Sequence, residues 1–232
     1  ISGAFGVFHK ETVIEAGGYR RNTIGEDMEL VVRLHRTLSR EGRPYRIVFA
    51  PEPVCWTEAP ESLAVLRSQR IRWQRGLCES LWLNIELLFS RGSGWAGWVA
   101  FPFALLFEGL SPVVGWLGWG CCGGGDLAGW VEWEVALAFL LVNVGFGTLL
   151  SVSSLLLDEM SYHTYPHLRQ IFVLLAAAVV ENVGYRQLPA YWRLIGLVQW
   201  VAGTRATWGD MKRTATWTSQ VGSSPAPTVT RT

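Results

Sequence analysis

The sequence predicts an α/β domain followed by an α-helical transmembrane region. Three observations carry this. Up to about residue 60, helical apolar periods alternate with short strand-like runs bounded by Gly and Pro. From 95 to 188 the chain is poor in charge and rich in Leu, Val, Ala, Gly and Trp. Most of the Lys and Arg precede that stretch, so the half of the chain that is hydrophobic is unevenly placed.

Residues 2–9, Ser-Gly-Ala-Phe-Gly-Val-Phe-His, read as a buried strand with glycines where another group approaches the backbone. Lys10 to Ala16 reads as a short helix stopped by Gly17-Gly18. A second helix is expected from Glu26 to Glu41, with Leu30, Val31, Leu34 and Leu38 on its 3.6-residue period. Glu26, Asp27 and Glu29 fall in its first turn, where the helix dipole favours negative charge, and Gly42 ends it. Arg46 to Ala50 reads as a strand closed by Pro51 and Pro53. A third helix is expected from Glu61 to Gln74, with Gly76 and Gly92 punctuating the apolar stretch after it. Arg67, Arg70, Arg72, Arg75 and Arg91 beside Leu and Trp give residues 61–94 the character of amphipathic helices on a membrane surface.

The apolar half divides into three segments. Residues 98–119 carry one charge, Glu108, and a kink at Pro112. Residues 135–157 carry no charge over 23 positions, which at ~1.5 Å per residue is about 35 Å of helix, enough to span a bilayer. Residues 171–188 are interrupted by Glu181 and Arg186, and fit a re-entrant segment, an interfacial one, or a hairpin with Leu194–Val201. Several of the 13 Trp, such as Trp95, Trp98, Trp119 and Trp133, flank these stretches as interfacial anchors do. The loop at 120–134 has acids and no Lys or Arg, which places it outside, and the basic 67–91 region inside. Residues 189–218 read as an interfacial helix and 219–232 as a disordered Ser/Thr/Pro tail. The chain opens on Ile1 with no signal peptide and reads as the carboxy-terminal part of a longer protein.

A net charge of +1 argues against nucleic acid as a partner. The four cysteines have no zinc or disulfide spacing: Cys55 and Cys78 are isolated, and Cys121-Cys122 are adjacent. His163 and His167 are four apart but have Pro166 between them, so no metal site is read there.

Chemistry concentrates at Gln69-Arg70-Ile71-Arg72-Trp73. On a helix Gln69, Arg72 and Trp73 share one face, which combines an amide, a permanent cation and an indole. Such a face suits a polyanionic leaving group and a stacked sugar ring. The plainer reading is a basic, Trp-anchored helix lying on lipid, and for Arg67, Arg70 and Arg75 that reading is preferred. Glu26 and Asp27 likewise read plainly as helix-capping acids.

Gly25-Glu26-Asp27, followed roughly 40 residues later by Gln69-x-x-Arg72-Trp73 and then by apolar helices, resembles the membrane-bound family 2 glycosyltransferases, such as cellulose, chitin, hyaluronan and poly-N-acetylglucosamine synthases. The resemblance covers residues 1–92 and, more loosely, the apolar half. It implies the carboxy-terminal part of a nucleotide-diphospho-sugar transferase domain at 1–60. It also implies inverting transfer from a nucleotide-diphosphate sugar to a glycan or glycolipid acceptor, on the cytosolic side of a multi-pass plasma or inner membrane. By the same resemblance Asp27 is the catalytic base and Glu26 supports its loop. Gln69 and Arg72 meet the diphosphate, Trp73 floors the acceptor sugar, and Gly3 and Ala4 line the acceptor side. A divalent cation, Mg or Mn, is expected with ligands outside this chain, because no Asp-x-Asp occurs here and Asp27 is the first Asp. The isolated chain is therefore expected to be inactive. Two other readings stay open: transfer to a lipid carrier without export, and a non-catalytic transport or scaffold protein, for which Glu108 and Glu181 speak.

Overall fold

The computed structural model describes residues 5–48, 55, 57–127, 132–162 and 167–204. Among these, every regular element is helical, so the expected α/β fold is corrected: no strand forms at 5–9 or 46–48. The physical reason is the lack of a partner. A strand exists through ladder hydrogen bonds and burial of one face. Yet Val7 and Val48 are 84% and 67% exposed, with no neighbouring strand among the described residues. Gly3 and Ala4, residues 49–54, the Cys121-Cys122 side chains, His163, residues 205–218 of the expected interfacial helix and the 219–232 tail lie outside the described residues.

Helix α1 is Lys10–Glu15 and α2 is Glu26–Arg40. The expected apolar stripe of α2 is its buried face, since Leu30, Val31, Leu34 and Leu38 are all buried. Gly42 follows at φ 64°, the left-handed turn that stops a helix. Helix α3, Leu63–Leu83, opens on Ser62, whose hydroxyl accepts the Val65 N–H at 3.3 Å. It runs well past the expected end at Gln74, and Gly76 sits inside it rather than closing it.

Helix α4, Ala96–Gly109, is π-wound at Ala96–Ala100 and Ala104–Gly109 around an α-turn at Phe101–Phe103. Helix α5 is Ser111–Leu127, and its described span meets α4 at a 43° bend. Helix α6, Trp133–Tyr162, contains the one single helix among the described residues that is long and apolar enough to cross a membrane, Trp133–Ser161. The bent α4–α5 pair meets the same test when taken together. Helix α7, Leu168–Val180, is too short to cross alone, and continues through a π-turn at Glu181–Tyr185 into α8, Gln187–Val201.

Helix α3 is the organising element, packed along both α2 and α8. Leu77 and Leu81 of α3 join Leu87 and Phe101 in the core, with Met28 and Val32 of α2 against them. Helix α8 comes close enough to α3 that a Cβ on Gly196 would sit 2.6 Å from the Ile71 carbonyl oxygen. Trp82 and Trp200 meet edge-to-face across the same pair at 6.1 Å.

Candidate functional site

The site is built where the start of α2 meets the middle of α3. The Thr23–Gly25 loop is held by α3: Glu79 accepts the Thr23 hydroxyl at 3.0 Å and the Ile24 N–H at 3.1 Å, and the Ser80 hydroxyl donates to the Gly25 carbonyl at 3.3 Å. Gly25 and Gly76 then touch main chain to main chain, so that a Cβ on either would lie 3.0 Å from the other's backbone. Gly76 is four residues after Arg72 and three after Trp73. The Arg72–Trp73 turn is therefore one helical turn, about 6 Å along the axis, from the point where the Gly25-Glu26-Asp27 loop lands. This contact joins the Gly25 loop to the helix that carries the second motif.

Asp27 occupies the first turn of α2, half-buried, with its Oδ1 accepting the Met28 N–H at 2.8 Å. Glu26 beside it is also half-buried. Gln69 and Arg72 are partly exposed on α3, and the Trp73 indole is 53% exposed. Arg70 stacks its guanidinium over that indole at 4.8 Å, so it is part of the Trp73 surface rather than a free lipid-facing cation. Gly3 and Ala4 belong to the same expected set and are not among the described residues.

Arg75 also departs from the lipid-facing expectation. It is 7% exposed and donates through Nη2 to the Thr204 carbonyl at 2.5 Å, tying α3 to a residue three beyond the end of α8. Cys78 is buried, and burial pushes its thiol up, as suits an inert side chain.

The structural support behind this arrangement escapes a reading of motifs. Glu29, fully buried, accepts both its oxygens' bonds from Arg33 Nε at 3.1 Å and pairs with Arg20 at 3.3 Å. Arg33 in turn donates to the carbonyls of Ala16 and Gly18, fixing the turn after α1. Buried Gln74 and half-buried Arg193 form a second polar group. The sequence does carry one signal for the first contact. A glycine inside a helix costs about 1 kcal/mol relative to Ala, so Gly76 marks a close backbone approach.

Among the described residues no group of three or more His, Cys, Asp or Glu side chains could hold a metal ion. The ligands of the divalent cation implied by the resemblance are expected outside this chain, so no step is assigned to one.

The family profile described as glycosyl transferase family group 2 matches residues 1–180. The poly-beta-1,6-N-acetyl-D-glucosamine synthase of Staphylococcus aureus strain COL is 38% identical over 76 residues, 33% of this chain and 17% of that protein. The synthase of the same description from Staphylococcus epidermidis is 31% identical over 90 residues, 37% of this chain and 20% of that protein. The matched segment thus spans a fifth or less of these relatives' length. No solved structure gives a significant match.

Proposed function

Because the chain belongs to glycosyl transferase family group 2, we propose that it takes part in inverting transfer of N-acetylglucosamine from a nucleotide-diphosphate donor to an acceptor glycan at a membrane, building a polymer. The observation that best supports this reading is the seating of Gly25 on Gly76, which joins the loop before Asp27 to α3, the helix that carries Arg72 and Trp73. The sugar is suggested by the relatives' activity, since both are named as synthases of a β-1,6-linked N-acetylglucosamine polymer.

Inverting transfer makes three physical demands. The acceptor hydroxyl must lose its proton as its oxygen attacks the anomeric carbon. The bond from that carbon to the diphosphate must break with its negative charge stabilised. The acceptor must be held in line throughout. Asp27 is the base in this proposal, taking the acceptor proton. It stands at a helix start, where the dipole favours its negative charge. Arg72 stabilises the departing diphosphate, because its planar fork of donors matches phosphate oxygens and stays charged, and Gln69 adds amide contacts to the same group. Trp73 is the floor for the acceptor sugar: an exposed indole face stacks on the apolar C–H face of a pyranose and tolerates sliding. Glu26, one residue from Asp27, points about 100° away on the helix and supports the loop.

The lipid bilayer is the second partner in this reading. Helix α6 and the bent α4–α5 pair have the length and composition to cross it, with the catalytic helices on the cytosolic face. Product chemistry tests the proposal. Membranes carrying the natural full-length protein, fed a radiolabelled nucleotide-diphosphate N-acetylglucosamine, are expected to yield label in a water-soluble polymer. Label extracted wholly into organic solvent would move the acceptor to a lipid carrier. No incorporation in either fraction would overturn the reading.

A further inference from the structure

The break between α4 and α5 leaves main-chain carbonyls without helical partners, and the way they are satisfied is specific. Gln74 of α3 is 1% exposed. Its Nε2 donates to the Gly109 carbonyl at 2.9 Å and to the Glu108 carbonyl at 3.3 Å, while its Oε1 accepts from Arg193 Nε at 2.7 Å. Arg193 of α8 closes the ring by donating through Nη2 to the Glu108 carbonyl at 2.7 Å. Three elements are locked at one point: the helix that carries Arg72 and Trp73, the helix after the π-turn, and the 43° break in the first apolar pair.

The buried Gly109 carbonyl is met by Gln74, whereas the Glu108 carbonyl also accepts from the Ser111 hydroxyl at 3.3 Å. A carbonyl released by a helix break and buried without a donor costs ~1–3 kcal/mol, more where a charged group loses its partner. Burial depresses the Arg193 guanidinium from its ordinary value, opposed by the nearby Glu108 carboxylate. The Gly196–Ile71 approach, one turn beyond Arg193, brings α8 near enough for the contact. Gln74 adjoins Trp73 in the chain, so the ring and the Arg72–Trp73 turn share one helix with no intervening loop.

We infer that Gln74 and Arg193 are positioning residues for sugar transfer, holding the Trp73 acceptor surface in register with the break at Glu108–Gly109 inside the first apolar pair. The inference rests on the proposed function, in that Trp73 must meet the acceptor. Neither residue touches a reacting atom. Their effect is on where the acceptor lies relative to Asp27.

The test is steady-state kinetics of the natural full-length protein in membranes, with UDP-N-acetylglucosamine as donor and short β-1,6-linked N-acetylglucosamine oligomers as acceptor, per inserted molecule. Gln74→Glu keeps the shape and the acceptor for Arg193 but removes both N–H donors to the break. It is expected to raise the acceptor KM at least fivefold while the donor KM stays within twofold. Arg193→Lys is expected to do the same, and Gln74→Glu combined with Arg193→Lys to do no more than the worse single variant. A merely structural role lowers the yield of folded protein and leaves both KM values at wild type, and that result overturns the inference. Should Gln74→Glu insert too poorly to assay, Arg193→Lys alone decides on the same criterion. If it also fails to insert, the pair is structural and the inference falls. Asp27→Asn separates the two levels. An active Asp27→Asn variant removes the proposed base, whereas an inactive one beside unaltered acceptor KM values in the Gln74 and Arg193 variants removes only this inference.

Discussion

Gly25 and Gly76 meet backbone to backbone, and no other pair of residue types fits there without movement, since an added Cβ would lie 3.0 Å from main-chain atoms on the other side. This contact positions the acid-bearing start of α2 against the helix that holds Arg72 and Trp73. Two effects compete when Gly76 becomes Ala. Helix propensity favours Ala by about 1 kcal/mol, and overpacking against a backbone that cannot rotate away costs ~1–3 kcal/mol. The clash wins, so Gly76→Ala is expected to destabilise by about 1 kcal/mol. Its effect on transfer is expected to be larger, about tenfold or more, because the displaced element carries Asp27. Thermal unfolding and initial rates on the same preparation check both. An Ala variant with full activity means the two elements need not touch.

The buried Glu29–Arg33–Arg20 group outweighs the surface ion pairs. Arg40 and Glu86 are both largely exposed at 3.1 Å, and such a pair contributes ~0–1 kcal/mol. Glu29 is fully buried and Arg33 is 4% exposed, so removing the acid strands a charge in the interior, at a cost of ~3–5 kcal/mol. Glu29→Ala is expected to lower the unfolding midpoint sharply, Glu29→Gln less so, and Glu86→Ala hardly at all. Equal midpoints for Glu29→Ala and Glu86→Ala contradict the assignment.

His35 makes stability depend on pH. Burial disfavours its charged form and lowers its pKa below the ordinary 6.5, and its Nδ1 lies 2.8 Å from the Tyr45 hydroxyl. The unfolded chain then binds the proton more readily than the folded one. Stability is expected to fall as pH drops below about 6.5, and the loss is complete below the folded pKa. Above about 6.5 the term vanishes. His35→Gln keeps a partner for Tyr45 and is expected to flatten this part of the unfolding midpoint's pH profile. An unchanged slope in the variant means another group titrates there.

Parts of this architecture were legible in the sequence because their causes are local. The stripe Leu30, Val31, Leu34, Leu38 announces α2, and all four side chains are buried on it. The helix expected from Glu61 begins at Leu63, and the uncharged run at 135–157 announces α6. The two expected strands fail because Val7 and Val48 have β propensity but no ladder to join, and pairing is not local. The end of α3 was misplaced because Gly76 signals both a stop and a close approach, and only the position of Gly25 distinguishes them. Both site motifs are visible as text. Of the polar groups that hold them, Gln74 with Arg193 joins residues 119 apart and carries no pattern, while Glu29 and Arg33 stand at the ordinary i,i+4 helical spacing and only their burial is not legible.

A carboxylate at position 27 receiving the acceptor proton is the central step of the proposed transfer. Asp27→Asn preserves size and leaves an oxygen that can still accept the Met28 N–H, so folding and membrane insertion should persist. The decisive measurement is sugar transfer by this variant in the natural full-length protein, alongside equilibrium binding of the nucleotide-diphosphate donor. Donor binding within twofold of wild type and transfer reduced at least a thousandfold, on the order of losing general-base catalysis, is the predicted result. Transfer at a rate near wild type would contradict it.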